Sequence, residues 1–446
     1  MSTLTLSIVV VFVFGYLCIA LESLTKVNKA AVALLMFVAC WTLFMIDPGS
    51  YVAGAVGENA ASAVSEVMER HLGSTSTTLF FLMGAMTIVE VVDQNGGFNF
   101  VRDIIAVKSK KALLWRIAFI TFFLSAILDN MTTAIVMVMI LRKLVSNHND
   151  RIIYASLVII AANAGGAFSP IGDVTTIMLW NKSLITAGGV IKELFLPSVI
   201  SMVVPALLLQ TFLKGELKYK DEGGVAAVQS DFSDRQRKAV FVLGVGGLIF
   251  VPIFKSITHL PPFVGILLVL GVLWLVTEIF YRRQGECEDE STQKRILNIL
   301  RRIDMGTILF FLGILMAVAC LEVIGVLAMA GDGLNVAFDG NHYIITGIIG
   351  VMSSIVDNVP LVAGCMGMYP MAEAGDFAQD GIFWQLLAYC AGVGGSMLII
   401  GSAAGVVVMG LEKITFIWYM KRISLVAFAG YLAGIVAYWL ERTFLF

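Results

Sequence analysis

Apolar residues fill this chain in long, nearly unbroken stretches set apart by short polar ones, without alternation. A bilayer-crossing helix needs roughly 20 apolar residues. Runs near that size stand at 4–21, 27–46, 75–93, 190–213, 239–258, 262–280, 307–329 and 423–440. Barrel strands would alternate, so these runs are predicted to be helices. Four other regions are apolar but interrupted. Residues 112–145 are too long for one helix and carry Asp129-Asn130 in the middle, and 343–369 carry Asp357-Asn358-Val359-Pro360. Residues 152–181 and 382–410 are broken by glycine-rich stretches, from Gly165 to Asp173 and from Gly394 to Ser402. Irregular backbone at membrane depth is tolerated where it is buried in protein or lines a polar cavity. The first run starts at Leu4 with no basic residue before it and no clear cleavage site, so it reads as a retained span.

These landmarks repeat. Leu79-Phe80-Phe81-Leu82 recurs as Leu309-Phe310-Phe311-Leu312, Asp129-Asn130 as Asp357-Asn358, and Gly165-Gly166 with Gly172 as Gly394-Gly395 with Gly401, at offsets of 230, 228 and 229. The expected fold class is therefore an all-α polytopic membrane protein of two similar halves, 1–222 and 235–446. Each half reads as three spans, a helical hairpin (112–145, 343–369), a broken span (152–181, 382–410) and a final span. Half-hairpins of 17 and 15 residues meet more naturally near mid-membrane than at the far surface, which makes the hairpins re-entrant. Each half then crosses five times, and the second is inverted relative to the first. With both termini outside, 25 of the 30 basic residues fall inside, leaving Arg70, Lys182, Lys192, Lys255 and Arg442 outside. Residues 98–111 read as an amphipathic helix at the cytoplasmic interface, and 214–238 and 281–305 as polar linkers on that side.

Composition agrees. The chain is 59% hydrophobic and only 14% charged, with a net charge of −2. A soluble enzyme, a disordered chain and a nucleic-acid binder are excluded. The six cysteines form no CxxC and there are four histidines, so a disulfide framework or zinc site is not expected. No cofactor is implied. The expected partner is the lipid bilayer, and the expected location is a cytoplasmic (inner) membrane crossed many times.

Paired broken segments in inverted halves point to a secondary transporter with its site between the halves near the midplane. The first tip offers Asp129, Asn130, Thr132 and Thr133. An ionised Asp in hydrocarbon costs at least about 2.5–3.5 kcal/mol, so it marks a place where water, a cation or a proton relieves it. The first glycine-rich break offers Ser169, Asp173 and Thr175, with Asn163 about one turn before Gly166. Asp173 is also a good helix N-cap. Its counterpart is Ser402, which makes the first half the more negative and the better cation site. Glu90 is a candidate proton relay, while Glu278 and Glu322 stand nearer span ends. Carboxylate, amide and hydroxyl oxygens suit hard cations such as Na⁺ or Li⁺. A proton competes with the cation for the same carboxylate. No Arg or Lys is expected near either tip, which argues against an anionic cargo.

The motif Leu128-Asp129-Asn130-Met131-Thr132-Thr133 together with Asn163-Ala164-Gly165-Gly166-Ala167-Phe168-Ser169-Pro170-Ile171-Gly172-Asp173 resembles the NhaD-type sodium/proton antiporters of the ion transporter superfamily. Val356-Asp357-Asn358-Val359-Pro360 fits as well, and the resemblance runs from about 75 to 410. Dicarboxylate carriers of that superfamily have Ser-Asn-Thr at the tips, where this chain has Asp. Its arsenite pumps follow Gly-Asp with prolines, where this chain has Val174-Thr175-Thr176. The resemblance implies Na⁺ (or Li⁺)/H⁺ exchange, not an enzymatic activity. It implies Na⁺ at Asp129, Asn130, Thr132 and Asp173, and a second pseudo-symmetric site of Asp357, Asn358 and Ser396. It also implies a homodimer with a scaffold of outer spans and an elevator-like transport domain. A cation-coupled symporter or arsenite-type exporter on the same fold is the alternative. An intramembrane aspartyl protease fails on its motifs, since Leu128-Asp129 and Ile171-Gly172-Asp173 lack the Tyr-Asp and Gly-x-Gly-Asp such enzymes carry. A passive channel would conduct ions without exchanging protons.

Overall fold

The structure, a computed structural model, describes residues 2–20, 27–52, 55, 57–97, 105, 107, 109–213, 215, 232–283, 299–301, 303–355 and 357–444. Among these the regular elements are helices. The first half holds α1 (Thr3–Ala20), α2 (Lys29–Phe44), α3 (Ala60–Gln94), α4 (Lys110–Ser125), α5 (Asn130–Leu144), α6 (His148–Ala167), α7 (Val174–Asn181) and α8 (Ala187–Leu209). The second holds α9 (Asp234–Thr258), α10 (Pro262–Arg283), α11 (Met305–Val323), α12 (Val326–Ala337), α13 (His342–Ser353), α14 (Asn358–Met368), α15 (Ile382–Gly394), α16 (Ala403–Glu412), α17 (Phe416–Arg422) and α18 (Ser424–Phe444). Polar caps set the starts. Asn28, Asn147 and Asn341 accept backbone N–H groups of α2, α6 and α13, and Ser233 forms a capping box with Gln236 on α9.

Six described helices (α3, α8, α9, α10, α11 and α18) are long and apolar enough to cross a bilayer. The chain is a multi-pass membrane protein. Several boundaries differ from the hydrophobic runs. α3 begins at Ala60, 15 residues before the apolar run, and its 35 residues extend about 52 Å. Its polar first turns are helical because nothing in 60–74 breaks a helix except Gly73. The run 307–329 is not one helix, since Gly325 takes φ +76° and starts the separate α12. A further helix, α17, stands between the second broken span and the last span, bent 112° from α16. The expected amphipathic helix at 98–111 and the linkers at 214–238 and 281–305 lie mostly outside the described residues. Where the linkers are described, α9 already begins at Asp234.

The helices pack in two groups. α1, α2 and α3 pack with α9, α10 and α11, and α2 lies along α11 as α10 lies along α3. In the other group α4 packs on α6 as α13 packs on α15, and α5 meets α16 as α14 meets α7. Glycine makes the tightest of these approaches. A Cβ at Gly165 would run into the Phe122 carbonyl, and one at Gly394 into the Gly350 carbonyl. Both hairpins are pinned alike: Ser125 Oγ donates to the Ala162 carbonyl at 2.6 Å, and Ser353 Oγ to the Ala391 carbonyl at 2.7 Å. The final helices α8 and α18 pack on each other and on the broken spans, not with the first three helices of each half.

Candidate functional site

Four half-helices start at the polar interruptions, each capped by the residue singled out there. Asp129 caps α5 through Thr132 N–H, Asp173 caps α7 through Thr175 N–H, Asp357 caps α14 through Val359 N–H, and Ser402 caps α16 through Gly405 N–H. Helix N-termini carry partial positive charge, which suits a carboxylate there. Capping and a polar role coexist at Asp173.

Asp173 is the hub. It is 1% exposed. Asn130 Nδ2 donates to Asp173 Oδ2 at 3.1 Å and to Asn163 Oδ1 at 3.1 Å. From the opposite tip, Asn358 Nδ2 lies 3.3 Å from both Asp173 oxygens. Asn163 Nδ2 donates to Ser396 Oγ and Ser402 Oγ, both at 2.9 Å. Both tips thus meet at one buried carboxylate, and Asn163 links the second break to it through Asn130. Asp129 and Asp357 are close enough to act on it electrostatically. Nothing local joins these groups: Asn358 and Asp173 are 185 residues apart.

Other expected residues stand elsewhere. The Asp129 carboxylate turns to its own helix, taking Thr132 N–H at 2.8 Å and Thr132 Oγ1 at 2.5 Å. It faces a cavity of about 60 Å³ shared with Phe81, Leu82, Leu248 and Phe311. The hydroxyls of Thr133 and Thr175 are buried with no hydrogen-bond partner among the described residues. Ser169 does not join the polar cluster; its hydroxyl donates to the Ala126 carbonyl and accepts Ile171 N–H, so it shapes the break. Glu90 lies on α3. It accepts Gln94 Nε2 on its own helix at 2.9 Å and is not among the residues lining the cavity at the first tip. Glu322 stands exposed at a cavity of about 210 Å³ between α3, α7, α11 and α14, which His71 and Lys182 also line.

One expectation is overturned outright. Lys29, far from either tip in sequence, reaches Asp357 Oδ2 at 3.2 Å. Chain folding, through α2, supplies the fixed cation that a local search of the tips could not find. Ser125 and Ser353 were also missed, although their offset of 228 matches the tips and was a usable signal.

Residues 16–386 match the family model described as citrate transporter. Sodium/proton antiporter 1 of Arabidopsis thaliana is 46% identical over 96% of this chain and 71% of that protein. Sodium/proton antiporter 2 of the same plant is 44% identical over 96% of this chain and 97% of that protein. The Na⁺/H⁺ antiporter NhaD of Vibrio cholerae is 29% identical over 98% and 91%. Among solved structures, the YdaH transporter of Alcanivorax borkumensis shares the fold, with a TM-score of 0.63 at 12% identity over 92% of this chain and 98% of that one.

Proposed function

The chain belongs to the citrate transporter family, with sodium/proton antiporters of the NhaD type among its near relatives, and on that premise we propose that it exchanges Na⁺ (or Li⁺) for H⁺ across its membrane. It is a transporter and not an enzyme. The observation that carries the exchange reading is Asp173: a buried carboxylate met, among the described residues, by neutral amides from both tips and by its own helix N-terminus. Such a group is neutralised by a proton or by a small cation, and one occupant displaces the other. Asn130, Asn163, Asp129, Thr132 and the unpartnered hydroxyls of Thr133 and Thr175 are the hard oxygen donors around it.

The same reading covers the architecture. The crosswise pairing of equivalent helices supports two inverted repeats, 1–222 and 235–446. α13 and α14, with 12 and 11 residues, extend only about 18 and 16 Å against a hydrocarbon core near 30 Å, which supports re-entrant hairpins. The hairpin group would move past α1–α3 and α9–α11 like an elevator, in a homodimer with both termini outside.

Reconstituted vesicles test it. With an acid interior followed by a pH-sensitive dye, Na⁺ or Li⁺ but not choline should discharge the gradient. Asp173→Asn and Asp129→Asn should each abolish that response while the protein still inserts. Full activity in both variants would sink the site. Uptake of a labelled carboxylate or arsenite in place of exchange would favour the symporter or exporter on this fold.

A further inference from the structure

The two tips, equivalent in backbone, differ in chemistry. Asp129-Asn130-Met131-Thr132-Thr133 corresponds to Asp357-Asn358-Val359-Pro360-Leu361, so both hydroxyls of the first tip become apolar in the second. Asp173 likewise corresponds to Ser402. Thr132 donates both its N–H and its hydroxyl to Asp129, whereas Pro360 offers Asp357 neither.

What the second tip has instead is an ammonium. Lys29 Nζ stands 3.2 Å from Asp357 Oδ2 and 4.3 Å from the centre of the Phe310 ring. The ring face holds the cation electrostatically, and Phe310 is fully buried, so the seat is fixed. Side-chain exposure is 25% for Lys29 and 17% for Asp357, low enough that the pair is weakly screened. Lys29 is the first residue of α2, started there by the Asn28 cap, and α2 belongs to the group of α1–α3 and α9–α11, outside the hairpins themselves. In the other half α10 starts at Pro262 and carries no cation in its first turns.

We propose that Lys29 is the resident cation of the second tip: a tethered ammonium that takes the place a mobile ion would take beside Asp357. The chain then has one exchangeable cation site, centred on Asp173 and the first tip. The second tip contributes Asn358 to that site while its own carboxylate, in this conformation, is paired with α2. Lys29 is a positioning residue, acting on transport through Asp357. The inference rests on the cation-exchange reading and adds the number of ions bound and the residue that limits it.

Equilibrium binding of ²²Na⁺ to the purified full-length protein counts the sites, beside dye assays on the same preparations. The wild type should bind one Na⁺ per chain. Lys29→Gln should bind two, Lys29→Arg should keep one, and Lys29→Gln with Asp357→Asn should return to one. A structural role alone would change yield or stability but not this count. Two Na⁺ per wild-type chain, or one in Lys29→Gln, overturns the proposal and leaves the exchange reading intact. If Lys29→Gln does not fold, Lys29→Met takes its place with the same expected count of two, and a wild-type count of two overturns the proposal by itself. No Na⁺ bound and no exchange by the wild type would remove the exchange reading, and this proposal with it.

Discussion

At the scale of single residues, the site depends on neutral donors around one carboxylate. Asn163 ties the first tip to the second break, through Asn130 on one side and Ser396 and Ser402 on the other. Asn163→Ala takes from Ser396 Oγ its donor, while Asn130 keeps Asp173 and Ser402 keeps the Gly405 N–H, at a cost of about 1–3 kcal/mol for the buried group left unpaired. The expected result is a lowered melting temperature in detergent and an apparent Na⁺ half-saturation raised at least several-fold. Proton competition sets a second expectation. If, as proposed, each proton on Asp173 excludes a cation, the half-saturation for Na⁺ should rise as pH falls, approaching tenfold per unit once the carboxylate is mostly protonated, while the maximal rate at saturating Na⁺ holds. A pH-independent half-saturation across pH 6–9 would separate proton and cation sites. Sequence alone pointed to Asp129, Asn130, Asp173 and Asn358, because a polar pair inside an apolar run is costly and it occurred twice. Glu90, intramembrane by position, accepts Gln94 Nε2 on its own helix.

Helices bring in contacts that no single residue carries. The C-terminal end of α16 is locked to the first hairpin by Glu412, whose side chain is fully buried between Arg142 Nε at 2.9 Å and Arg151 Nε at 2.7 Å. Arg142 also donates to the Leu411 carbonyl. Glu412→Gln should destabilise the protein by about 3 kcal/mol, the low end of what breaking a buried pair costs because Arg142 is 40% exposed. Thermal unfolding checks it, and an unchanged midpoint would show the cluster to be solvated. The glycine of the first break makes the complementary case. Gly165→Ala forces a methyl into the Phe122 carbonyl and should cost about 1–3 kcal/mol by overpacking. The repeat made that glycine conspicuous; only the packing of α4 on α6 says what it is for.

For the whole molecule, the proposed elevator-like exchange has the hairpin group move past the other helices. One of the contacts between the two groups is Asn181 Nδ2, at the end of α7, reaching Thr78 Oγ1 on α3 at 3.4 Å. In a background without native cysteines, Thr78→Cys with Asn181→Cys joined by a short bismaleimide should stop exchange, while either single variant stays active under the same reagent. Unimpaired exchange in the cross-linked protein would rule out relative movement at this contact.

Hydrophobic periodicity and the repeat determined most of the helices, both hairpins, both breaks and the residues at their tips, because each is a local cost in an apolar run that the chain must compensate. Boundaries were poorly determined where polar helix continues beyond the membrane, as in α3, or where one glycine divides a run, as before α12. The pairing of Asp173 with Asn358 and of Asp357 with Lys29 was decided by the tertiary structure alone. These partners are 185 and 328 residues apart. No local pattern encodes which half-helix ends will meet; that follows from how two similar halves pack against each other.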